Sequence, residues 1–140
     1  MTNPFSYRPY RIQSSIEAFE VSVHKYLHQH PEIRDILSAA ILIHKNRVLL
    51  VQRAADDDFP NRWEVPGGTA NKDETIVQCA IRELYEEVGL AASTVLAMVS
   101  EVVWTASDSG GQRRPGLGCL ENILFLCHDG WCHAGNGLEN

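Results

Sequence analysis

The chain has 140 residues, of which 44% are hydrophobic and 21% charged, so it can bury one core without staples and has the make-up of a soluble globular domain. Its net charge of -6 excludes a nonspecific nucleic-acid binder and admits anionic substrates only where cations mediate. No apolar run approaches a membrane span, and the four cysteines are too few and too scattered for a disulfide framework, so a reducing, cytoplasmic setting is expected.

Residues 1–13 read as irregular. Arg8 and Arg11, with no acid through residue 16, faintly resemble a transit peptide, but Pro4 and Pro9 spoil an amphipathic helix, so no targeting segment is expected. The stretch SSIEAFEVSVHKYLHQH, from Ser14, reads as one helix. Ser14 and Glu17 have capping-box spacing, Ile16, Phe19, Val23, Tyr26 and Leu27 share a face, and Pro31 ends the run. A packing role is expected for it.

SAAILIH and RVLLVQR, separated by Lys45 and Asn46, suggest a hairpin. AADDDFPN is a loop, and RWEV is a short strand ending at Pro66. A helix then starts at Asp73 or Glu74 and runs to about Val88, with Gly89 at its end. STVLAMVSEVVWTAS and CLENILFLCH read as strands on either side of a glycine-rich loop, DSGGQRRPGLG. This order predicts a single mixed α+β fold with a largely antiparallel sheet.

The helix carries an oddity. Val77, Ala80, Ile81, Leu84 and Val88 fall on one side and Glu83, Glu86 and Glu87 on another, at the helix end where the dipole disfavours acids and where they repel one another. Glutamates at this spacing make a site for a hard divalent cation such as Mg²⁺, and the Gly67–Gly68 turn can bring a bare backbone carbonyl to the same ion. Arg82 could orient a neighbouring carboxylate. A solvated charged face is the other reading of such a run.

The stretch from Gly68 to Leu90 resembles the signature of the Nudix family: glycine, five residues, glutamate, seven residues, then Arg-Glu-aliphatic-x-Glu-Glu-x-Gly-aliphatic. Gly68, Glu74, Arg82, Glu83, Leu84, Glu86, Glu87, Gly89 and Leu90 fill every specified position. The preceding QRAADDDFPNRWEVPGG is similar to the same region of mutator-type nucleoside triphosphate pyrophosphatases. The resemblance covers roughly residues 38–127. It implies an α/β/α sandwich around a mixed sheet and a hydrolase that cleaves a nucleoside diphosphate linked to another group X, with water as nucleophile and Mg²⁺ or Mn²⁺ as cofactor. It also implies that Glu83 and Glu87 are the principal metal ligands with Glu86 assisting, that the Gly67 carbonyl coordinates as well, that Arg82 orients Glu83 and that Glu74 supports the loop. Arg53, Trp63 and Gly68 are the candidate substrate contacts. Arg53 matches an arginine that contacts substrate phosphate in those enzymes, a solvated strand-end arginine being the alternative, and Trp63 either faces the base pocket or packs.

On this reading residues 1–37 form an N-terminal extension with a packing helix, 38–128 the domain core and 129–140 an irregular tail. The tail HDGWCHAGNGLEN shows no helix signal, although family members usually close the sandwich with a C-terminal helix and often carry a further metal-binding glutamate downstream. Glu101 and Glu121 are candidates for that acid, and each could equally be a surface glutamate of a strand. The missing layer leaves two expectations open: a non-catalytic nucleotide-binding module instead of an enzyme, and a partner or second copy, as in a homodimer, covering a bare sheet face. An isoprenoid diphosphate isomerase is disfavoured, because those relatives do not usually keep the full box. Cys127, His128, Cys132 and His133 invite a zinc reading, but structural zinc sites place two ligand pairs apart in sequence and no second pair is present.

Overall fold

A computed structural model describes residues 10–105 and 118–129. The order is β1 (Arg11–Ile12), a 3₁₀ helix (Ser14–Phe19), α1 (Val23–Gln29), β2 (Ile33–His44), β3 (Arg47–Val48), β4 (Val51–Gln52), β5 (Trp63–Glu64), β6 (Gly67–Thr69), α2 (Ile76–Val88), β7 (Ala92–Thr105) and β8 (Cys119–Asp129). The main sheet runs β1-β7-β8-β2-β3, and β6 shares the edge of β2 with β3; β4 and β5 pair separately. The sheet is mixed. The β7–β8 pair is antiparallel, but the long β2–β8 pair is parallel, with Ser38 beside Ile123 and Ala40 beside Phe125.

Alternation along the strands explains the core. Ile36, Ser38, Ala40 and Leu42 of β2 face the same way as Ile123, Phe125 and Cys127 of β8, and all of them are buried. The helices lie on this face: Phe19 packs edge-on against Phe125 with centroids 5.5 Å apart, Tyr26 reaches Glu121, and Ser38 Oγ donates to Ile76 O at 2.9 Å. Ile16, Val23, Ile76, Val77, Ala80 and Leu84 complete one cluster, so the segment before β2 belongs to the same core. The opposite face leaves Val102 and Trp104 of β7 and Ile43 of β2 exposed, and no helix among the described residues covers it.

The expected hairpin is present. Lys45 and Asn46 both take positive φ (46° and 60°), as a two-residue turn of the twist-matched type requires. Its second strand is not continuous, however: after Val48 a single bond from Leu49 N to Leu42 O (2.9 Å) closes the pairing with β2, and the chain re-pairs as β4 with β5. The first helix also differs from expectation. It is broken into the 3₁₀ helix and α1, and Ser14 and Glu17 form no capping box, the N-cap being Gln13 with no side-chain bond. Ser22 causes the break. Its side chain accepts from Lys25 N, capping α1, while its backbone bridges Thr75.

Helix α2 starts at Ile76, later than expected, because Thr75 caps it. Thr75 Oγ1 accepts from Gln78 N at 3.0 Å, and Gln78 Oε1 accepts from Thr75 N at 2.9 Å. Glu74 is thereby left outside the helix, free to bond elsewhere. Gly89 ends α2 in the left-handed conformation (φ 71°), its N–H donating to Tyr85 O at 2.8 Å.

Candidate active site

Arg82 organises the acids. It is 8% exposed, and Glu74 is 9% exposed. Its Nε and Nη2 each donate to Glu74 at 2.9 Å in a bidentate pair, and Nη2 also reaches Thr69 O at 3.2 Å. Its Nη1 donates to Glu83 Oε1 and to Glu86 Oε2, both at 2.9 Å. These bonds, that to Glu74 foremost, hold the guanidinium proton more firmly than usual. Glu74 Oε1 further accepts from Asn71 N at 2.8 Å, closing the turn before α2. The side chain at 74 thus braces a loop, and Arg82 ties that brace to two of the three clustered glutamates.

The glycines are sterically demanded. A Cβ at Gly67 would stand 2.5 Å from Ala39 Cβ, so β6 could not lie against β2. A Cβ at Gly68 would stand 2.6 Å from the Glu83 carboxylate, so only bare backbone lets Glu83 rest there. Glu87 accepts a hydrogen bond from the Gly67 backbone N–H, yet its pKa is raised, first by burial and then by Glu83, Glu64 and Glu86. Gly67 and Gly68 do not form the expected turn: both lie in strand β6, paired with Ala39 and Ser38 and without positive φ, and Glu83 and Glu87 converge on that strand.

This donor set fits a hard divalent cation: carboxylate oxygens, an excess of negative charge at Glu87 and a cradle that a side chain at position 68 would fill. The residues to hold it are Glu83, Glu86, Glu87 and the Gly67 backbone. Among the described residues no three acidic, histidine or cysteine side chains already stand in a coordinating group, and Arg82 Nη1 is the cation that bridges Glu83 and Glu86.

One residue beside this site was not picked out from the sequence. Glu64 lies close enough to Glu87 to raise its pKa. The available signal was strand alternation in RWEV, which turns Glu64 away from Trp63. Phe59 is 66% exposed with positive φ (57°), and the Arg62 guanidinium sits 5.2 Å from its ring centroid. Trp63 is 64% exposed, so it does not pack into the core. Arg53 is committed within its own loop: Nε donates to Asp58 O at 2.7 Å, Nη2 to Asp57 Oδ1 at 2.9 Å and Nη1 to Glu64 at 3.2 Å.

Glu101 and Glu121 lie together on β7 and β8. Glu121 is buried and bonded to Tyr26, so neither carboxylate joins the group around Arg82. The first pair of the zinc quartet diverges, since Cys127 is buried in the core while His128, next along the strand, is exposed. Cys132 and His133 lie outside the described residues. Burial alone pushes the Cys127 thiol up to about 12, as expected of an inert core cysteine.

The model of the NUDIX domain matches residues 34–134. The chain is 42% identical over 55 residues to a CTP pyrophosphohydrolase of Escherichia coli K12, covering 39% of this chain and 41% of that protein. It is 44% identical over 45 residues to the 8-oxo-dGTP diphosphatase of the same organism, covering 32% and 35%. It thus spans less than half the length of these relatives. A MutT NUDIX hydrolase structure from Burkholderia pseudomallei superposes with a TM-score of 0.53 at 21% identity, over 68% of this chain and 67% of that one, a likeness of fold. With most of its length matched and every position of the acidic signature filled, the chain belongs to the Nudix family.

Proposed function

We propose that this chain is a pyrophosphohydrolase that uses Mg²⁺ or Mn²⁺ to cleave the pyrophosphate linkage of a nucleoside diphosphate linked to a group X, with water as nucleophile. The observation that carries the reading is the buried Arg82 linking Glu74, Glu83 and Glu86 beside a Glu87 that other carboxylates crowd. Once bound, the metal supplies Lewis-acid neutralisation of phosphate charge and a lowered pKa for the attacking water.

The chain's own residues do the rest. Glu83, Glu86 and Glu87 supply the anionic oxygens. Arg82 holds Glu83 and Glu86 in place and is itself held by Glu74, which acts as a brace. Gly68 serves the site by leaving room for the Glu83 carboxylate and not as a direct substrate contact. Trp63 offers an exposed ring on which a base can stack. Arg53 contributes by fixing its loop and Glu64, and a direct phosphate contact requires it to give up a bond to Asp57 or Glu64.

The substrate is a small nucleotide, in keeping with the net charge of -6, and not a nucleic acid. A reducing, cytoplasmic location suits the free Cys79, Cys119 and Cys127. No helix among the described residues is long and apolar enough to cross a membrane. A second copy of the chain would cover the open sheet face. The binding-module alternative gains no support, because the box is complete and the relatives bear hydrolase names. The test is phosphate release, with added pyrophosphatase, across oxidised dNTPs, ADP-ribose, nucleotide sugars and dinucleoside polyphosphates, with and without Mg²⁺. Metal-dependent turnover of one class supports the proposal, and no turnover of any class at millimolar Mg²⁺ or Mn²⁺ contradicts it.

A further inference from the structure

Helix α1 is fastened at both ends. At its start the Val23 and His24 amides donate to Glu74 O (2.9 Å) and Lys72 O (3.1 Å), and Thr75 Oγ1 donates to Glu20 Oε1 at 3.0 Å. These bonds grip the turn that carries Glu74, the brace of Arg82. At its other end Tyr26 OH donates to Glu121 Oε1 at 3.1 Å. His30 stacks on the Tyr26 ring with centroids 4.1 Å apart, and His30 Nδ1 lies 2.9 Å from Tyr26 O.

The anchor at this second end is unusual. Glu121 is 2% exposed, and its Oε2 has no hydrogen-bond donor. The β7–β8 register sets Glu101 opposite Ile123, which makes it a diagonal neighbour of Glu121 on the same face. Side chains as long as glutamate can meet across such a diagonal in a carboxyl–carboxyl bond. Two carboxylates can only accept, so that bond needs a proton. Burial and then Glu101 push the Glu121 carboxyl up to about 7. The groups facing the pair are Tyr26 and His30 from α1, with Glu32 beyond, and Glu101 from β7. Burial and the same two glutamates raise the Tyr26 phenol, so it remains a donor.

We propose that Glu101 and Glu121 share one proton, and that this proton is a latch holding α1 on the sheet and, through α1, the turn at residues 71–74 against the acidic helix. With the proton on Glu121 Oε2, that oxygen donates to Glu101 while Oε1 still accepts from Tyr26, and every polar atom of the pair is satisfied. Without it, one buried carboxylate faces another. The device is conformational and does not depend on catalysis.

The direction with pH follows from linkage. A released Glu121 takes up its proton near the ordinary 4.5, and a latched one near 7. The stabilisation is complete below the ordinary value and is lost as pH rises toward 7, opening becoming about tenfold easier per pH unit, with a plateau above.

Hydrogen exchange at the Val23 and His24 amides, corrected for intrinsic rate, between about pH 5 and pH 8 tests this. In the wild type, protection should fall about tenfold per pH unit up to about pH 7 and then level off. Glu121→Gln places an N–H₂ toward Glu101 and a carbonyl toward Tyr26, so it should be latched at every pH and show a flat profile. Glu101→Gln, donating to Glu121 Oε2, should flatten the profile in part. A flat wild-type profile, or a Glu121→Gln profile with the wild-type slope, overturns the latch. Should Glu121→Gln fail to fold, carbon-detected titration of the wild-type Glu121 carboxyl decides: a midpoint near 7 supports the latch, and one in the ordinary carboxylate range overturns it.

Discussion

Replacing Arg82 with Met keeps its length and apolar stem but strands Glu74. That carboxylate is 9% exposed and would retain only the Asn71 N–H in place of a bidentate guanidinium. Breaking a buried ion pair from one side costs about 3–5 kcal/mol, because the remaining charge stays buried. The bond to Glu86 adds little, since that side chain is half exposed. At about 3–4 °C per kcal/mol for a domain of this size, Arg82→Met should lower Tm by about 9–20 °C. Glu74→Gln keeps an oxygen for Asn71 N and for Arg82, and should cost about 1–2 kcal/mol. The double variant buries no unpaired carboxylate at position 74. It should therefore be more stable than Arg82→Met alone, with a coupling of at least about 1.5 kcal/mol. Urea unfolding of the four proteins, followed by circular dichroism, measures the cycle. If the two single costs add to within about 0.5 kcal/mol, the Arg82–Glu74 pair is not the brace described above.

Gly68→Ala should displace Glu83 and abolish any metal-induced rise in Tm while leaving the metal-free protein folded. A metal response equal to that of the wild type would show that Glu83 can move without consequence. Titration of the wild type with Mg²⁺ or Mn²⁺ should raise Tm, as binding to the folded state must. No shift at millimolar metal would count against the proposed ligand set. The open face of the sheet, with Val102 and Trp104 exposed, should bring two copies together; a clean monomer at high concentration in sedimentation would remove that expectation.

The sequence made some of this legible and hid the rest for physical reasons. Helix α2 was readable because its apolar period, its glycine stop and its acidic face all act within one segment. Its start was misplaced because Thr75 and Gln78 form a capping box two residues inside the expected boundary. The break before α1 was not readable. Local spacing favours a continuous helix, and what interrupts it is Ser22 pairing with Thr75, far along the chain. The parallel β2–β8 register was likewise out of reach, being fixed by side chains nearly ninety positions apart. At the site, Glu74 bonds to Arg82 and to Asn71 N, and Arg82 bonds to Glu83 and Glu86, contacts that the spacing of the acids alone did not specify. The commitment of Arg53 to Asp57, Asp58 and Glu64 did not show, because it depends on how a loop closes and not on a repeating period.

The most direct test of the proposed chemistry is steady-state hydrolysis of the best panel substrate by Glu87→Gln beside Glu74→Gln. Glu87 lies one turn after Glu83, and both meet strand β6 at Gly67 and Gly68. The glutamine keeps the shape and removes the charge that would hold a metal. Glu87→Gln should lower the rate by at least about a hundredfold with the fold intact, and Glu74→Gln, which alters a brace, should lower it less. Wild-type turnover by Glu87→Gln would leave the family assignment standing and contradict the proposed role of the acidic face.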